Sequence, residues 1–246
     1  MRLLCVTAHP DDEAGGFGGA LLLYGERGVE TRVLCLTPGQ AATHRGPAAS
    51  GDELAALRRQ EFQVACKMLK VRHGEVLDYP DGGLENQNFL EVVAELTRKM
   101  REFRPHVVMT MGAEGAVTAH VDHTMASIFA TTAFHWAGRT NRFPEQLNGG
   151  LKPHRAQKLY YGTAGFTLPD RQPVCLPPAT TVLHIGERLE TKIAAFRCHT
   201  TQSPLFDMFE MAVRRRGLEE WYHLAYASTP RMGERESDLF AGVEDD

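Results

Sequence analysis

The sequence lacks a surplus of positive charge. Its 27 Lys and Arg residues against 31 Asp and Glu residues give a formal net charge of -4, and the pI is about 6.3. Nucleic-acid-binding proteins usually carry a basic surplus, so no nucleic-acid partner is expected. The one dense basic run, Arg214–Arg216, is interpreted as a solvated helix end rather than a phosphate-binding tract.

The sequence also lacks ordered cysteine pairs and long apolar runs. Its 5 cysteines include no CxxC pair, so neither a disulfide framework nor a thiolate zinc site is indicated. No apolar stretch reaches the length of a membrane span, and the first residues do not form a charged and apolar leader. The expected location is therefore the reducing cytoplasm.

The motifs of three large enzyme classes are missing. Residues 16–19 (GFGG) superficially resemble a dinucleotide-binding loop, but Leu21 stands where the third Gly is required. The second predicted strand ends without the acid that would hold a ribose. Neither the G-x-S-x-G of serine hydrolases nor the G-x-x-x-x-G-K of phosphate-binding loops occurs. A dinucleotide-binding dehydrogenase, a serine hydrolase of the G-x-S-x-G type and a phosphate-binding loop of the G-x-x-x-x-G-K type are therefore not expected.

The chain does contain enough apolar residues for one large domain. With 246 residues, 43% hydrophobic and 24% charged, it is expected to form a single domain over residues 1–246, with an irregular insertion at about 138–178. Amphipathic helical patterns separate apolar strands. Six strands are predicted, at Leu3–Val6, Thr31–Thr37, Glu75–Tyr79, His106–Met111, Lys158–Thr163 and, as the last strand, Thr181–Ile185. This alternation predicts an α/β fold with a doubly wound, mostly parallel, Rossmann-like sheet and helices on both faces.

Acidic and imidazole side chains crowd the end of the first strand. His9, Asp11, Asp12 and Glu13 lie within five positions, directly before a Gly-rich turn into a helix. Clustered carboxylates repel one another unless a cation lies among them, which favours a metal site. The alternative is a solvated loop whose acids favour the positive end of the next helix. On these residues alone, both interpretations stay open.

A second cluster follows the fourth strand and contains His120, Asp122 and His123. In a sheet of order 3-2-1-4-5, ligands bind beyond the carboxyl ends of strands 1 and 4, where the order reverses. The two clusters are therefore expected to meet. Two His and one Asp would supply the three protein ligands of a catalytic zinc site with one open position, and an Asp, a His and an Asp would be left for proton transfer.

The paired motifs resemble those of the PIG-L/LmbE-like zinc-dependent N-acetylglucosaminyl deacetylases. The family marks are A-H-P-D-D-E, here at residues 8–13, and H-x-D-H, here at 120–123. Weaker features are also similar: an R-x-x-E helix start at 58–61, a P-D-G turn at 80–82, and the segment 192–202. The resemblance covers the chain from about residue 2 to 202, outside the stretch 138–178.

The resemblance implies a role for each residue of the two clusters. His9, Asp12 and His123 would bind zinc, although such a site also accepts iron or cobalt. Asp11 would be the general base. His120 would stabilise the oxyanion or act as an acid, with Asp122 as the carboxylate that orients it.

Three further residues would line the substrate pocket according to the resemblance, namely Arg58, Asp81 and His199. Simpler roles stay open for several residues. Arg58 could pair with an acid such as Glu61 on its own helix, and Asp81 could be a turn acid that bonds its own backbone. Asp122 could cap a helix, and Glu13 is interpreted as helix-start electrostatics.

The implied activity is a metal-dependent hydrolase that removes the N-acetyl group from an N-acetylglucosamine-type conjugate, giving acetate and a free amino sugar. One alternative is an amidase of the same fold that cleaves a larger acyl or thiol conjugate. Another is a non-catalytic sugar- or metal-binding module, against which Asp11 beside the ligands argues. The expected partner is a small N-acetylated sugar whose aglycone the sequence leaves open, and the chain is compatible with a homo-oligomer.

Overall fold

The computed structural model describes residues 1–168, 172–229 and 235–245. Its strands are β1 (Arg2–Thr7), β2 (Glu30–Cys35), β3 (His73–Val76), β4 (Val107–Thr110), β5 (Lys158–Thr163), β6 (Thr181–His184) and β7 (Glu219–Ala227). Its helices are α1 (Asp12–Glu26), α2 (Gly51–Met68), α3 (Phe89–Phe103), α4 (Val121–Ala137), α5 (Pro144–Asn148), α6 (Arg188–Arg197) and α7 (Phe206–Arg216). The fold is α/β, as expected.

The seven strands form one sheet of order β3-β2-β1-β4-β5-β7-β6. The first five are parallel, and β7 runs antiparallel to both β5 and β6. The predicted order 3-2-1-4-5 is therefore confirmed. The prediction that Thr181–Ile185 is the last strand is wrong, because Glu219–Ala227 follows it and inserts between β5 and β6.

The sheet separates two apolar clusters. Along β1, Leu3 and Cys5 belong to one cluster while Leu4 and Val6 belong to the other, which is the alternation of a strand buried on both sides. The first cluster includes apolar residues of α1, α2 and α6, and the second includes those of α3 and α4. Helices therefore cover both faces.

Several boundaries differ slightly from the sequence prediction. Ser50 caps α2 by accepting a hydrogen bond from the Glu53 N–H, and β3 begins at His73 because it pairs with Arg32–Cys35 of β2. The stretch 138–178 is not wholly irregular, since it contains α5 and the interior strand β5. Residues 169–171 of that stretch lie outside the described residues.

The order of the strands brings the two chemical clusters together. β1 pairs with β4, so the turn after β1 and the loop before α4 extend beyond the same edge of the sheet. Among the residues that the structure describes, no helix combines the length and hydrophobicity that crossing a bilayer requires.

Candidate active site

The turn after β1 has an unusual backbone at Asp11. This residue has φ 117° and ψ -27°, in the left-handed region that a residue with a side chain adopts only at a cost. The Asp11 N–H donates to Glu13 Oε2 at 2.9 Å, and the His9 N–H donates to Asp12 Oδ2 at 2.8 Å. These bonds hold the turn so that His9, Asp11 and Asp12 all line one cavity.

The start of α4 supplies the imidazoles of the second cluster. His120 is the residue before the helix, and its Nδ1 accepts a hydrogen bond from the Asp122 N–H at 3.1 Å. His123 lies one turn further, with Nε2 3.2 Å from Asp12 Oδ1. The ring centroids of His9 and His123 are 5.3 Å apart. The predicted metal ligands are therefore brought to one place.

The donor atoms of His9, Asp12 and His123 lie within 4.8 Å of one another. His9 Nδ1 is 3.6 Å from Asp12 Oδ2, which with the 3.2 Å between His123 and Asp12 is close to the roughly 3–3.5 Å that separates ligands around zinc. All three side chains are about nine-tenths buried. This triad has the donor types and the spacing of a mononuclear metal centre.

In His9 and His123, the ring nitrogen that faces away from Asp12 has a partner of the kind found for metal-ligating histidines. His9 Nε2 lies 3.0 Å from Asp81 Oδ1 and 3.2 Å from Asp122 Oδ2, and His123 Nδ1 lies 3.3 Å from Thr118 Oγ1. A ligating histidine normally donates its second N–H to a carboxylate or another oxygen, which fixes the tautomer. The residues present therefore fit a bound divalent ion.

A second group with suitable spacing consists of His9, His120 and Asp122. The Asp122 carboxylate is 1% exposed, and it already accepts the N–H groups of Gly82 at 2.7 Å and Leu84 at 3.2 Å. Asp12 Oδ1 has no such donor among the described residues and faces His123. The group that contains Asp12 is therefore the better metal site.

The expected role of Asp122 needs a correction. Its carboxylate does not orient His120; it contacts His9 and the turn at Gly82 instead, because the first turn of α4 directs it into the interior. The backbone N–H of Asp122 is what holds His120. Partial burial, together with the charges of His9 and His123, lowers the pKa of His120 below 6.5. Because Nδ1 accepts the Asp122 N–H, the neutral form of His120 carries its proton on Nε2.

Arg58 contacts the predicted general base. Its guanidinium donates to Asp11 Oδ2 at 3.0 Å, to the Pro10 carbonyl oxygen and, at 3.1 Å, to the Gly39 carbonyl oxygen. The alternative of a surface pair with Glu61 is wrong, since Arg58 is 3% exposed and Glu61 accepts from Thr200 and Thr201. Burial raises the pKa of Asp11 to about 6, with Arg58 opposing and Asp12 reinforcing that shift.

Asp81 is more than a turn acid. One oxygen lies 3.0 Å from His9 Nε2, and the other accepts the Ala41 N–H at 2.9 Å. Burial alone would raise the pKa of Asp81, but the hydrogen bond and charge of His9 outweigh it and lower the pKa. Asp81 lines the cavity, as Arg58 does, yet the carboxylate oxygens of Asp81 and the terminal nitrogens of Arg58 already have protein partners.

His199 does not line the cavity, which corrects the expectation that it contacts substrate. It is fully buried beneath the turn after β1, with Nε2 2.7 Å from Glu13 Oε1. Glu13 is also fully buried; it lies in the first turn of α1, as expected, and in addition pairs with His199. The sequence feature that could have indicated this pair is Glu13 itself, a third acid at the start of a helix whose other residues are mostly apolar.

A cavity of about 540 Å³ is lined by His9, Asp12 and His123, which we call the metal triad. One end is polar and contains the residues described above. The other end is walled by apolar side chains from α1, α6, α7 and the segment before β6, including Phe17, Phe166, Phe196, Phe209 and Val213. The sequence analysis predicted neither this apolar end nor α7, which forms much of it.

A family model described as GlcNAc-PI de-N-acetylase (PIG-L) matches residues 4–134, a range that includes both motifs. The diacetylchitobiose deacetylase of Thermococcus kodakarensis is 29% identical over 215 residues, covering 87% of this chain and 75% of the relative. The 1D-myo-inositol 2-acetamido-2-deoxy-alpha-D-glucopyranoside deacetylase 1 of Saccharopolyspora erythraea is 32% identical over 241 residues, covering 82% and 77%. The solved N,N'-diacetylchitobiose deacetylase of Pyrococcus horikoshii has the same fold, with a TM-score of 0.73 at 24% identity over 91% and 83% of the two chains.

Proposed function

The chain belongs to the GlcNAc-PI de-N-acetylase (PIG-L) family, and on that premise we propose that it removes the N-acetyl group from an N-acetylglucosamine-type conjugate by metal-dependent hydrolysis. The observation that carries the proposal is the meeting of His9, Asp12 and His123 around one point, with Asp11 beside them on the cavity wall. The deacetylase names of relatives that match more than four-fifths of this chain support the same reaction.

We propose zinc as the ion held by His9, Asp12 and His123, because two imidazoles and a carboxylate are a common donor set for catalytic zinc. Iron(II) and cobalt(II) are the alternatives that this donor set also accepts. A zinc ion in this position supplies Lewis-acid activation of the attacking water and of the acetamide carbonyl. Asp81 and Asp122 orient the His9 ring through its Nε2, and Thr118 orients the His123 ring through its Nδ1.

Asp11 is proposed as the general base. Arg58 holds its Oδ2, while Oδ1 has no hydrogen-bond partner among the described residues and lies on the cavity wall. A pKa of about 6 leaves this carboxylate ionised at neutral pH and still basic enough to take a proton as water attacks. A base positioned in this way contributes typically 10²–10⁴-fold to the rate.

His120 is proposed as the hydrogen-bond donor to the developing oxyanion. The Asp122 N–H occupies its Nδ1, so the proton on Nε2 faces the cavity that the ring lines. A donor aimed in this way is worth about 2.7–4 kcal/mol in comparable sites. The proton that Asp11 has taken then passes to the leaving nitrogen, and cleavage of the C–N bond gives acetate and a free amino sugar.

Arg58 and Asp81 are proposed as positioning residues that keep Asp11 and His9 in place, since the terminal nitrogens of Arg58 and the carboxylate oxygens of Asp81 have protein partners. The strand order and the helices on both faces also support describing the fold as a doubly wound, Rossmann-like sheet. Its order reverses between β1 and β4, which is where ligands bind in such sheets.

The test is acetate and free-amine release from N-acetylglucosamine and its simple glycosides by zinc-loaded protein. We expect release that stops with a chelator, returns when zinc is added back, and is absent in His123→Ala. Equal release with and without bound metal would refute the proposal. A product carrying a larger acyl group would favour the amidase alternative, and metal binding without any release would favour a binding module.

A further inference from the structure

The apolar end of the cavity has no role in the reaction proposed above. We define the apolar chamber as Phe17 of α1, Phe166, Phe196 of α6, and Met208, Phe209 and Val213 of α7. It is continuous with the metal triad within the same cavity of about 540 Å³, a volume typical of drug-sized ligands. A sugar ring alone does not match it, because hydroxyl groups buried without partners cost free energy.

The chamber is preformed. The rings of Phe196 and Phe209 stack with their centroids 3.8 Å apart and their planes inclined by 19°. Gly15 and Gly16 line the cavity next to Asp12, and a Cβ added at Gly16 would meet nothing within 4 Å. The absence of side chains at these two positions keeps the passage from the metal triad to the chamber open.

The helix that forms much of the chamber packs against the protein along one side, where Phe206, Phe209 and Val213 contact the first apolar cluster. Within the described part of α7, Val213 is the most buried residue, at 8% exposure, while Met208 is 46% exposed. An exposed apolar surface that faces a concave site indicates a ligand. The occupant of this chamber should therefore be largely apolar.

Arg216 adds a charge to the chamber wall, which corrects its interpretation as part of a solvated helix end. Its guanidinium carbon lies 5.5 Å from the centroid of the Phe166 ring. In the described part of the chain its Nε is buried and forms no hydrogen bond. By contrast, Arg214 pairs with Glu190 and Glu210 at the surface.

The charge of Glu220 acts on Arg216, but the oxygens of Glu220 are occupied by other donors. Glu220 accepts from Lys192 at 2.5 Å, from the Tyr222 hydroxyl at 2.7 Å, and from the N–H groups of Gly19 and Ala20 at 2.8 Å each. Among the described residues the ion pair of Glu220 is with Lys192, and none is formed with Arg216. A planar guanidinium in this situation favours a carboxylate or a similar anion, which it can bind through two parallel hydrogen bonds.

We infer that the apolar chamber binds the aglycone of the substrate, an apolar group that carries an anionic substituent for Arg216. The inference rests on the proposed function and names the substrate class. The amide must lie at the metal triad, and an acetyl group is too small to fill the chamber. The chamber therefore serves the part of the substrate beyond the sugar.

The experiment compares kcat/KM of zinc-loaded protein for N-acetylglucosamine, its phenyl β-glycoside and its 4-carboxyphenyl β-glycoside. We expect the phenyl group to raise kcat/KM about tenfold or more, as burial of an aromatic ring does, and the carboxylate to raise it about tenfold again. Arg216→Gln should abolish the second increase, whereas Arg215→Gln, at an exposed position on the same turn, should leave it unchanged.

A second pair of variants tests the apolar wall. Ala212→Phe adds a ring at a position that lines the cavity, whereas Met211→Phe adds one at a neighbouring position that is 67% exposed. Ala212→Phe should reduce the ratio of kcat/KM for the phenyl glycoside to that for N-acetylglucosamine at least fivefold, roughly the loss of half the burial of a ring. Met211→Phe should not change this ratio.

Equal kcat/KM for all three compounds in the wild-type protein would overturn the inference and leave the proposed function intact. Faster hydrolysis of N-hexanoylglucosamine than of N-acetylglucosamine, lost in Ala212→Phe, would also overturn it by assigning the chamber to the acyl group. Calorimetric binding of 4-carboxyphenyl β-glucosaminide gives a readout without turnover. Binding weakened at least tenfold by Arg216→Gln supports the inference even if no acetate is released, and binding unaffected by that change contradicts it.

Discussion

Glu13 and His199 form an ion pair in which neither side chain is exposed to solvent, with Oε1 2.7 Å from Nε2. The two residues are 186 positions apart in the chain. The second oxygen of Glu13 accepts the Asp11 N–H, so the pair supports the left-handed backbone that directs Asp11 into the cavity. The C-terminal part of the chain thereby stabilises the geometry of the first motif.

Replacing Glu13 by Gln should destabilise the protein in a pH-dependent manner. Burial alone would lower the pKa of His199, but the charge and hydrogen bond of Glu13 outweigh it and raise the pKa above 6.5. A raised pKa in the folded state gives stability that is fully present below pH 6.5 and is lost as the pH rises through the folded-state pKa. Breaking such a buried pair costs about 3–5 kcal/mol.

The measurement is urea unfolding of wild-type and Glu13→Gln protein at pH 6 and at pH 9, with chelator present so that metal affinity does not contribute. The difference in the free energy of unfolding should be larger at pH 6. A difference that stays constant or grows toward pH 9 would show that the pair is not ionised as described.

Asp11→Asn should separate metal binding from catalysis. The amide cannot take a proton from water, so kcat should fall about 10²–10⁴-fold, while the zinc content should stay near one per chain because Asp11 is not a ligand. His123→Ala should lose both zinc and turnover. Metal analysis and acetate release on the same samples test this. If Asp11→Asn turns over substrate at the wild-type rate, Asp11 is not the general base.

Asp81→Asn should weaken zinc binding, since Asp81 Oδ1 lies 3.0 Å from His9 Nε2, the ring nitrogen that faces away from Asp12. Loss of such a supporting carboxylate typically costs 10–100-fold in metal affinity. Asp78→Asn is the matched control, because that side chain lies three residues earlier and is 96% exposed. Competition with a chelating dye gives both affinities, and equal values for the two variants would argue against a supporting role for Asp81.

Gly39→Ala should displace Arg58 and reduce turnover. Gly39 has φ 71°, and a Cβ there would clash with the Arg58 guanidinium that holds Asp11. Gly28→Ala is the control for backbone strain, with φ 81° and nothing within 4 Å of the added Cβ. Both variants should lose about 1–2 kcal/mol of stability, but Gly39→Ala alone should lose activity as well. Full activity in Gly39→Ala would mean that Arg58 is not needed to position Asp11.

The parallel part of the fold could be predicted because its signals are local. Strands such as Leu3–Val6 are short apolar runs between helical patterns, and their order follows from the rules of parallel sheets. β7 was not predicted because its sequence, EEWYHLAYA, begins with two glutamates. Glu220 is buried there with partners from distant parts of the chain, namely Lys192 and the N–H groups of Gly19 and Ala20, and no local pattern reveals such partners.

The candidate site divides in the same way. The spacing within each motif and the sheet topology were sufficient to predict that the two clusters meet, whereas the choice of His9, Asp12 and His123 as ligands followed from the family resemblance. The partners of Asp122 and His199 depend on how side chains pack across elements, so their predicted contacts were wrong. Arg216 was misinterpreted because three consecutive arginines indicate a solvated run, whereas the helix places the third one on the cavity wall.

The most direct test of the metal centre is an anomalous difference map from crystals grown with zinc, recorded at the zinc absorption edge. We predict one strong peak about 2.0–2.2 Å from His9 Nδ1, Asp12 and His123 Nε2, absent in crystals of His123→Ala. A peak bound instead by His120 and Asp122, or no peak at full zinc occupancy in solution, would contradict the account.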